Sequence, residues 1–178
     1  MKKLILLAAV AVMMTSFAAA QAGNTANGTL TVTATVNSSI NLVFNSDASG
    51  VALSTGAGTN AATLAFGNVS AFGAVAANVT RTVVAGTSFT VSTPVDVKVT
   101  NANSSSANYT LKAQLGSADA TNTWQVAGNT VTNAAATTLT ATGTYGSNAA
   151  EAIAITVPFT TASGTNISNT INFTATSN

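Results

Sequence analysis

Threonine alternates with apolar residues along the stretch Thr29-Leu30-Thr31-Val32-Thr33-Ala34-Thr35-Val36. Successive side chains of a β-strand point to opposite faces, so a period of two is typical of a strand with one buried face. The same alternation recurs along the rest of the chain. It predicts further strands over residues 40–44, 63–69, 79–84, 88–92, 95–100, 109–115, 123–126, 137–142, 152–159 and 170–175.

Between these segments lie clusters of glycine, serine, asparagine and aspartate, which are typical of turns and loops. They occupy residues 45–62, 101–108, 116–122, 143–150 and 162–169. Short strands at this spacing, with no helical pattern after the first twenty residues, predict an all-β fold. We expect one domain over residues 21–178, an antiparallel immunoglobulin-like β-sandwich, with a jelly roll or a small barrel as alternatives.

The composition is unusual for a protein surface. Hydrophobic residues make up 47% of the chain and charged residues only 5%, whereas about a quarter of a typical soluble domain is charged. The surface must therefore consist of threonine, serine, asparagine and alanine. The chain has no cysteine, so packing and backbone hydrogen bonds must provide the stability that disulfides often give secreted domains.

The N-terminus has the three parts of a bacterial secretory signal. Lys2 and Lys3 precede the apolar run 4–14, and the small-residue stretch 16–22 follows it. This order predicts a signal peptide over residues 1–20, with cleavage before Gln21 or, as an alternative, before Gly23. The apolar run is too short to span a bilayer, so no membrane span is expected in the mature chain. We expect a secreted protein that passes through the periplasm to the cell surface; an uncleaved signal anchor is the alternative.

Charge argues against nucleic acid as a partner. After the signal, three basic and four acidic side chains remain, a net charge of −1. Three scattered cations cannot neutralise a phosphate backbone. These side chains are Arg81, Lys98 and Lys112 on one side, and Asp47, Asp96, Asp119 and Glu151 on the other.

Few residues are available for catalysis, because the chain has no histidine and no cysteine. This removes imidazole acid–base chemistry, thiol nucleophiles and the usual zinc ligands. The four carboxylates fall in predicted loops or at strand edges and nothing in the sequence pairs them, so we interpret them as solvated loop charges. We therefore predict that the protein is not an enzyme and binds no cofactor.

Two further patterns in the sequence are weaker indications of a binding site. The loops 47–50 and 119–122 each offer one carboxylate, which is too few for a calcium site, so no metal is predicted. Tyr109, Trp124 and Tyr145 could stack on sugar rings, but three such widely spaced aromatics are more typical of core or edge packing.

Three stretches together carry a family resemblance. The opening strand 28–36 runs into Ser39-Ile40-Asn41-Leu42, the middle contains Leu64-Ala65-Phe66-Gly67-Asn68-Val69-Ser70, and the end contains Ile155-Thr156-Val157-Pro158 and the strand 169–174. The chain thereby resembles the spore coat protein U family, which includes pilins of archaic chaperone–usher systems. It departs from that family at Ser39, where a cysteine is usual, and at Ile167 and Asn169, where an aromatic–acidic pair is usual.

The resemblance implies an incomplete sandwich, whose groove is filled by an N-terminal strand from the next subunit. It also implies a homopolymer, with a periplasmic chaperone and an outer-membrane usher as partners. The candidate donor strand is residues 25–36, and it would insert Leu30, Val32, Ala34 and Val36. The expected function is a structural subunit of a surface fibre, either a pilus (fimbria) or a coat. The alternative is a self-contained secreted adhesin or polysaccharide-binding module.

Overall fold

The computed structural model describes residues 26–178. The predicted signal peptide, its cleavage site at Gln21 and the first donor-strand residue, Thr25, lie outside the described residues. Residues Val36–Asn178 form one compact unit. Its strands are β1 (Ser39–Asn45), β2 (Thr80–Val84), β3 (Ser88–Ala102), β4 (Asn108–Leu115), β5 (Thr123–Val126), β6 (Asn129–Val131), β7 (Thr137–Thr144), β8 (Asn148–Pro158) and β9 (Ile171–Ser177). From residue 26 onward, no helix is long and apolar enough to cross a bilayer.

The strands form two antiparallel sheets, which confirms the predicted all-β sandwich. One sheet has the order β1-β3-β8-β5-β6, with β2 also paired to β3, and the other has the order β7-β4-β9. In an immunoglobulin fold the orders are A-B-E-D and C-F-G. The series β1-β3-β8-β5 corresponds to A-B-E-D, and the pair β4-β9 corresponds to C-F.

The core lies between the inner faces of β3, β4 and β8. Every odd-numbered residue of β3 from Phe89 to Val99 is buried, and all of them except Thr93 are apolar, as a period of two requires. Burial of such apolar surface is the main stabilising contribution to folding. The other buried apolar residues are Tyr109, Leu111, Ala113, Leu115, Trp124, Val126, Val131, Ile153, Ile155 and Val157.

The sequence predicted two strands, 88–92 and 95–100, where the structure has the single strand β3. The residue between them, Pro94, has no backbone N–H but is tolerated because of its position in the ladder. Its register partner, Ala152, accepts a bond from Ala127 on the β5 side. The pair Pro94–Ala152 therefore exchanges no hydrogen bonds, and the Pro94 nitrogen faces the outer edge of β3. On that edge β2 pairs with residues 88–92 of β3 and β1 pairs with residues 96–102. Neither strand pairs with Pro94, so its missing N–H removes no hydrogen bond from the sheet.

The predicted strand 63–69 is wrong, because this segment lies in the long connection between β1 and β2. Only isolated bridges occur there, such as Thr55 with Thr63. Its side chains Leu64, Phe66 and Val69 pack against the core, while its backbone lacks a continuous neighbouring strand. In this segment the apolar alternation thus reflects alternate burial of the side chains, although the backbone is not paired as a strand. Conversely, β6 is a strand that the sequence does not predict, because three residues are too few to show a period of two.

Candidate functional site

The last strand, β9, has one unpaired edge. Gly116 N donates to Thr170 O (2.7 Å) and Asn178 N donates to Asn108 O (3.1 Å), so the even-numbered residues of β9 bond to β4. In an antiparallel ladder the intervening residues direct their N–H and C=O groups to the other side. Ile171, Phe173 and Ala175 therefore present backbone donors and acceptors to an edge where no residue from 26 to 178 pairs with them.

The side chains of the same three residues lie on the inner face of β9, which borders β1 of the other sheet. Ile171, Phe173 and Ala175 are half-buried, as are Leu42 and Phe44 on β1. The rings of Phe44 and Phe173 meet edge to face, with centroids 5.2 Å apart. We call this surface the β1/β9 groove, defined by these five residues. Its lining is less buried than the centre of the core, where Val97, Val99 and Leu111 are fully buried.

The opposite side of the sandwich is closed. The link between β6 and β7 crosses from one sheet to the other, and Leu115 N donates to Thr132 O (3.1 Å). Gln114 Nε2 donates to Asn133 O (2.9 Å), and Thr137 Oγ1 donates to Thr130 O (3.1 Å). The register of β7 against β4 also shifts at Leu111, and such irregularity protects a sheet edge from further pairing. Of these two sides, the one with the β1/β9 groove is open.

The candidate donor residues lie in a segment that is described separately from the compact unit. From residue 26 to 38 the chain has no strand and every residue is exposed. Leu30 is 88% exposed, Val32 81% and Val36 72%, and Ala34 is exposed as well. The prediction that residues 29–36 form a strand paired within their own chain is therefore wrong. An extended segment needs a hydrogen-bonded neighbour to be a stable strand. Its role as a donor to another copy stays a prediction.

Asp119 organises a loop and is not a freely solvated charge. Its carboxylate accepts hydrogen bonds from the backbone N–H groups of Thr121 and Asn122, from the Asn122 amide and from the Trp124 indole (2.8 Å). Partial burial alone would raise its pKa, but these bonds lower the pKa of Asp119 to about 2. The oxygens that a calcium ion would need are already engaged.

The other candidate calcium loop is likewise a local turn. Asp47 Oδ1 accepts bonds from the Ser49 hydroxyl and backbone N–H, and these bonds lower the pKa of Asp47. Among residues 26–178, no three histidine, cysteine or acidic side chains are grouped as metal ligands. Tyr109 and Trp124 are buried, and the Tyr145 ring packs at a tilt against the Tyr109 ring, with centroids 5.2 Å apart. This confirms packing as the role of these aromatics.

Glu151 is a second carboxylate for which the interpretation as a solvated charge is wrong. It lies on the inner face of β8 and is only 7% exposed. Burial raises the pKa of Glu151. Burial also raises the pKa of Tyr109, with further contributions from Glu151 and Tyr145. The alternation along β8 marks this position as inward-facing, where a glutamate is rarely found.

We expect Glu151→Gln to stabilise the protein at neutral pH by about 1 kcal/mol, because it removes a buried charge while keeping the shape of the side chain. Below the ordinary pKa of 4.5 the carboxyl is protonated in both the folded and the unfolded chain. As pH rises above 4.5 and through the higher pKa of the folded state, the wild type loses stability, because the unfolded chain ionises more readily than the folded one. Urea midpoints of both proteins should therefore agree near pH 4 and diverge by pH 7. An equal difference at both pH values would contradict this.

No protein-family model matches the chain, and no curated protein or solved structure is significantly similar to it. The resemblance to the spore coat protein U family thus stays a prediction. Sequence reasoning named the donor residues but none of the groove residues as a site. The alternation of Ile171, Phe173 and Ala175 was visible, but it cannot reveal whether the edge of a strand is paired.

Proposed function

We propose that the protein is an exported structural subunit of a bacterial surface fibre or coat. Assembly occurs when the segment 28–36 of one copy enters the β1/β9 groove of the next copy. The observation that carries this proposal is that one chain has both an unpaired edge above a half-buried apolar groove and an exposed segment with matching alternation. A periplasmic chaperone and an outer-membrane usher are the partners that the family resemblance implies.

The two surfaces are chemically compatible. An added strand gains main-chain hydrogen bonds along the open edge, and its alternate side chains enter the groove. Neither the segment 28–36 nor the five groove residues include a charged side chain. Pairing these two surfaces would therefore not bury a charged side chain from either of them. The threonines of the segment would face outward, like Thr174 and Thr176 of β9, which are exposed.

The expected energy is large enough for a stable polymer. Burying Leu30, Val32 and Val36 contributes roughly 1.5–3 kcal/mol each, or about 5–9 kcal/mol together. Association and ordering of the segment cost part of this, and the backbone hydrogen bonds add to it. The proposal includes no catalytic step and no cofactor.

One observation favours the alternative of a self-contained binding module. A cavity of about 270 Å³ lies at one end of the sandwich, with Phe89, Phe159 and Ile167 in its lining. Phe72, which is 71% exposed, packs on Phe159 with ring centroids 5.9 Å apart. An exposed ring beside a cavity is a feature of ligand sites. Because this end could also bind a ligand within a fibre, assembly is the property that separates the two functions.

The deciding experiment replaces Leu30, Val32 and Val36 together with serine. We expect assembly to weaken more than about a thousandfold, because several kcal/mol of apolar burial is lost. Since these side chains are exposed in the single chain, the urea midpoint of the monomer should not change. Gel filtration and electron microscopy would report assembly.

The matched control replaces Thr31, Thr33 and Thr35 with serine, which alters only the outward face and should leave assembly intact. A wild-type protein that stays monomeric at high concentration would contradict the proposal. So would a triple variant that unfolds, because its side chains would then belong to the core of their own chain.

A further inference from the structure

The cavity at the end of the sandwich where β3 begins and β8 ends combines aromatic rings with hydroxyl groups. Phe89 and Phe159 line it, with ring centroids 6.5 Å apart. None of its lining residues, all from the described part of the chain, carries a charge. The hydroxyl-bearing residues of the lining are Ser70, Thr161, Ser163 and Thr165.

The hydroxyl group of Thr161 is a buried polar group in this lining. Its oxygen has no hydrogen-bond partner among residues 26–178. The turn around it is otherwise bonded, since Thr161 N donates to Pro158 O (3.0 Å) and Thr165 Oγ1 donates to Ala162 O (2.8 Å). A buried hydroxyl without a partner costs free energy and is rare in folded proteins. Because Thr161 lines the cavity, a ligand in the cavity can supply the partner.

Phe72 lies beside the cavity, and its exposed ring is held in place. The ring is 71% exposed and packs at a tilt on Phe159, with centroids 5.9 Å apart. Arg81 fixes the loop on both sides of the ring, because Nη1 donates to Ser70 O (3.0 Å) and Nη2 donates to Gly73 O (2.9 Å). An exposed ring forgoes the stabilisation of burial. The loop therefore presents Phe72 in a fixed position where a ligand can cover it.

These features together specify the chemistry of a ligand. An exposed aromatic ring favours a partner with a flat apolar face, whereas the Thr161 hydroxyl favours a partner that carries hydroxyl groups. An ion is disfavoured, because no charged residue of the described lining would compensate its loss of hydration. A neutral sugar ring meets all three conditions, since its C–H face is apolar and its edge carries hydroxyls.

The size of the cavity limits how much of a glycan it holds. Its volume is about 270 Å³, slightly below the range of about 300–1,000 Å³ that is typical of small-molecule pockets. It therefore has room for a single sugar unit and not for an oligosaccharide.

We propose that this end of the sandwich binds one neutral pyranose unit of a glycan. The apolar face of the sugar packs on the ring of Phe72, and one sugar hydroxyl forms a hydrogen bond with the hydroxyl of Thr161. The site is contained in a single copy and shares no residue with the β1/β9 groove. It therefore goes beyond the proposed assembly and does not depend on it, and a fibre would present the site once in each subunit.

Saturation-transfer NMR on the exported protein tests the ligand class, because it detects ligand contact with a monomer and with a polymer alike. The probes are the methyl glycosides of glucose, galactose and mannose, and methoxycyclohexane is the matched ring without hydroxyl groups. We expect at least one glycoside to bind with a Kd of about 1–10 mM and more tightly than methoxycyclohexane. If no glycoside binds, or if methoxycyclohexane binds more tightly than all three, the inference is wrong.

Thr161→Val separates a role in ligand binding from a role in folding. It replaces the hydroxyl with a methyl group of similar size and should weaken glycoside binding about three- to tenfold. It should not lower the urea midpoint, because the hydroxyl has no partner among residues 26–178. Thr161→Ser keeps the hydroxyl and should keep binding. Unchanged binding by Thr161→Val, or a loss that Thr161→Ser shares, would overturn the proposed hydrogen bond.

Phe72→Ala tests the aromatic contact without disturbing the core, since the ring is mostly exposed. Glycoside binding should weaken about five- to tenfold, and Phe72→Trp should retain it. The matched control Ile40→Ala removes another exposed apolar side chain, which pairs with Asn101 at the far end of β3, and should leave binding unchanged. Equal effects of Phe72→Ala and Ile40→Ala would overturn the position of the site.

Gel filtration of the same variants distinguishes this inference from the proposed function. Phe72→Ala and Thr161→Val should assemble like the wild type, because neither residue belongs to the β1/β9 groove. Loss of glycoside binding with assembly intact is the expected result. A wild type that assembles but binds none of the glycosides would overturn the sugar site alone, and one that binds a glycoside but stays monomeric would overturn the fibre alone.

Discussion

Replacing Val97 with aspartate should lower the free energy of unfolding by about 3–5 kcal/mol at pH 7. Val97 is fully buried and packs in a cluster with Val99, Tyr109 and Leu111. A carboxylate there would lose its hydration without gaining a partner, or would take up a proton to avoid that cost. Urea unfolding at pH 7 measures the loss.

Two matched variants on the other face of β3 show whether the effect comes from burial. Lys98→Ser should change the free energy of unfolding by less than about 0.5 kcal/mol. Thr100→Asp introduces the same carboxylate as Val97→Asp at a position that is only half-buried, and it should cost far less than Val97→Asp. Comparable losses for Val97→Asp and Thr100→Asp would mean that the faces of β3 are wrongly assigned.

Gly143→Ala should lower the free energy of unfolding by about 3 kcal/mol, although it adds a single methyl group. Gly143 lies opposite Tyr109 in the β4–β7 ladder, and a Cβ atom there would overlap the Tyr109 ring. That ring is 1% exposed and packed between the sheets, so it cannot move aside. The backbone of Gly143 is not in the left-handed region, so steric overlap, not backbone strain, is the cause.

A double-mutant cycle separates this overlap from any general weakness of β7. In a Tyr109→Leu background the ring is gone, and Gly143→Ala should then cost less than about 1 kcal/mol. Chemical denaturation of the four proteins measures the coupling. If Gly143→Ala costs the same with and without the ring, Tyr109 is not the reason that glycine occupies this position.

The strands that sequence analysis predicted well are those whose alternation coincides with burial between the two sheets. The predicted segments 109–115 and 123–126 match β4 and β5 within one residue. Along such strands apolar side chains face the core and polar ones face water, so the local pattern records the final environment. The identification of an all-β sandwich depended on this agreement.

Three features of the tertiary structure could not be predicted from local pattern. The segment 29–36 alternates as regularly as β3 but is exposed, and 63–69 packs on the core without pairing. Glu151 directly precedes the predicted strand 152–159, where a carboxylate is expected to reach water, but it is buried on β8. In each case the deciding factor is a contact between residues far apart in the chain, or the lack of one.

The sequence by itself determined the strand-rich fold class and the apolar alternation of Leu30, Val32, Ala34 and Val36, because side-chain periodicity is a local property of an extended chain. Only the tertiary structure decided which strand edges find partners. Ile171, Phe173 and Ala175 alternate like the inner residues of any strand, yet their backbone groups are unpaired because no described strand lies beyond β9. Whether a hydrogen-bonding edge is open depends on how the strands are ordered in the sheet, and that order is set by long-range packing of the whole chain.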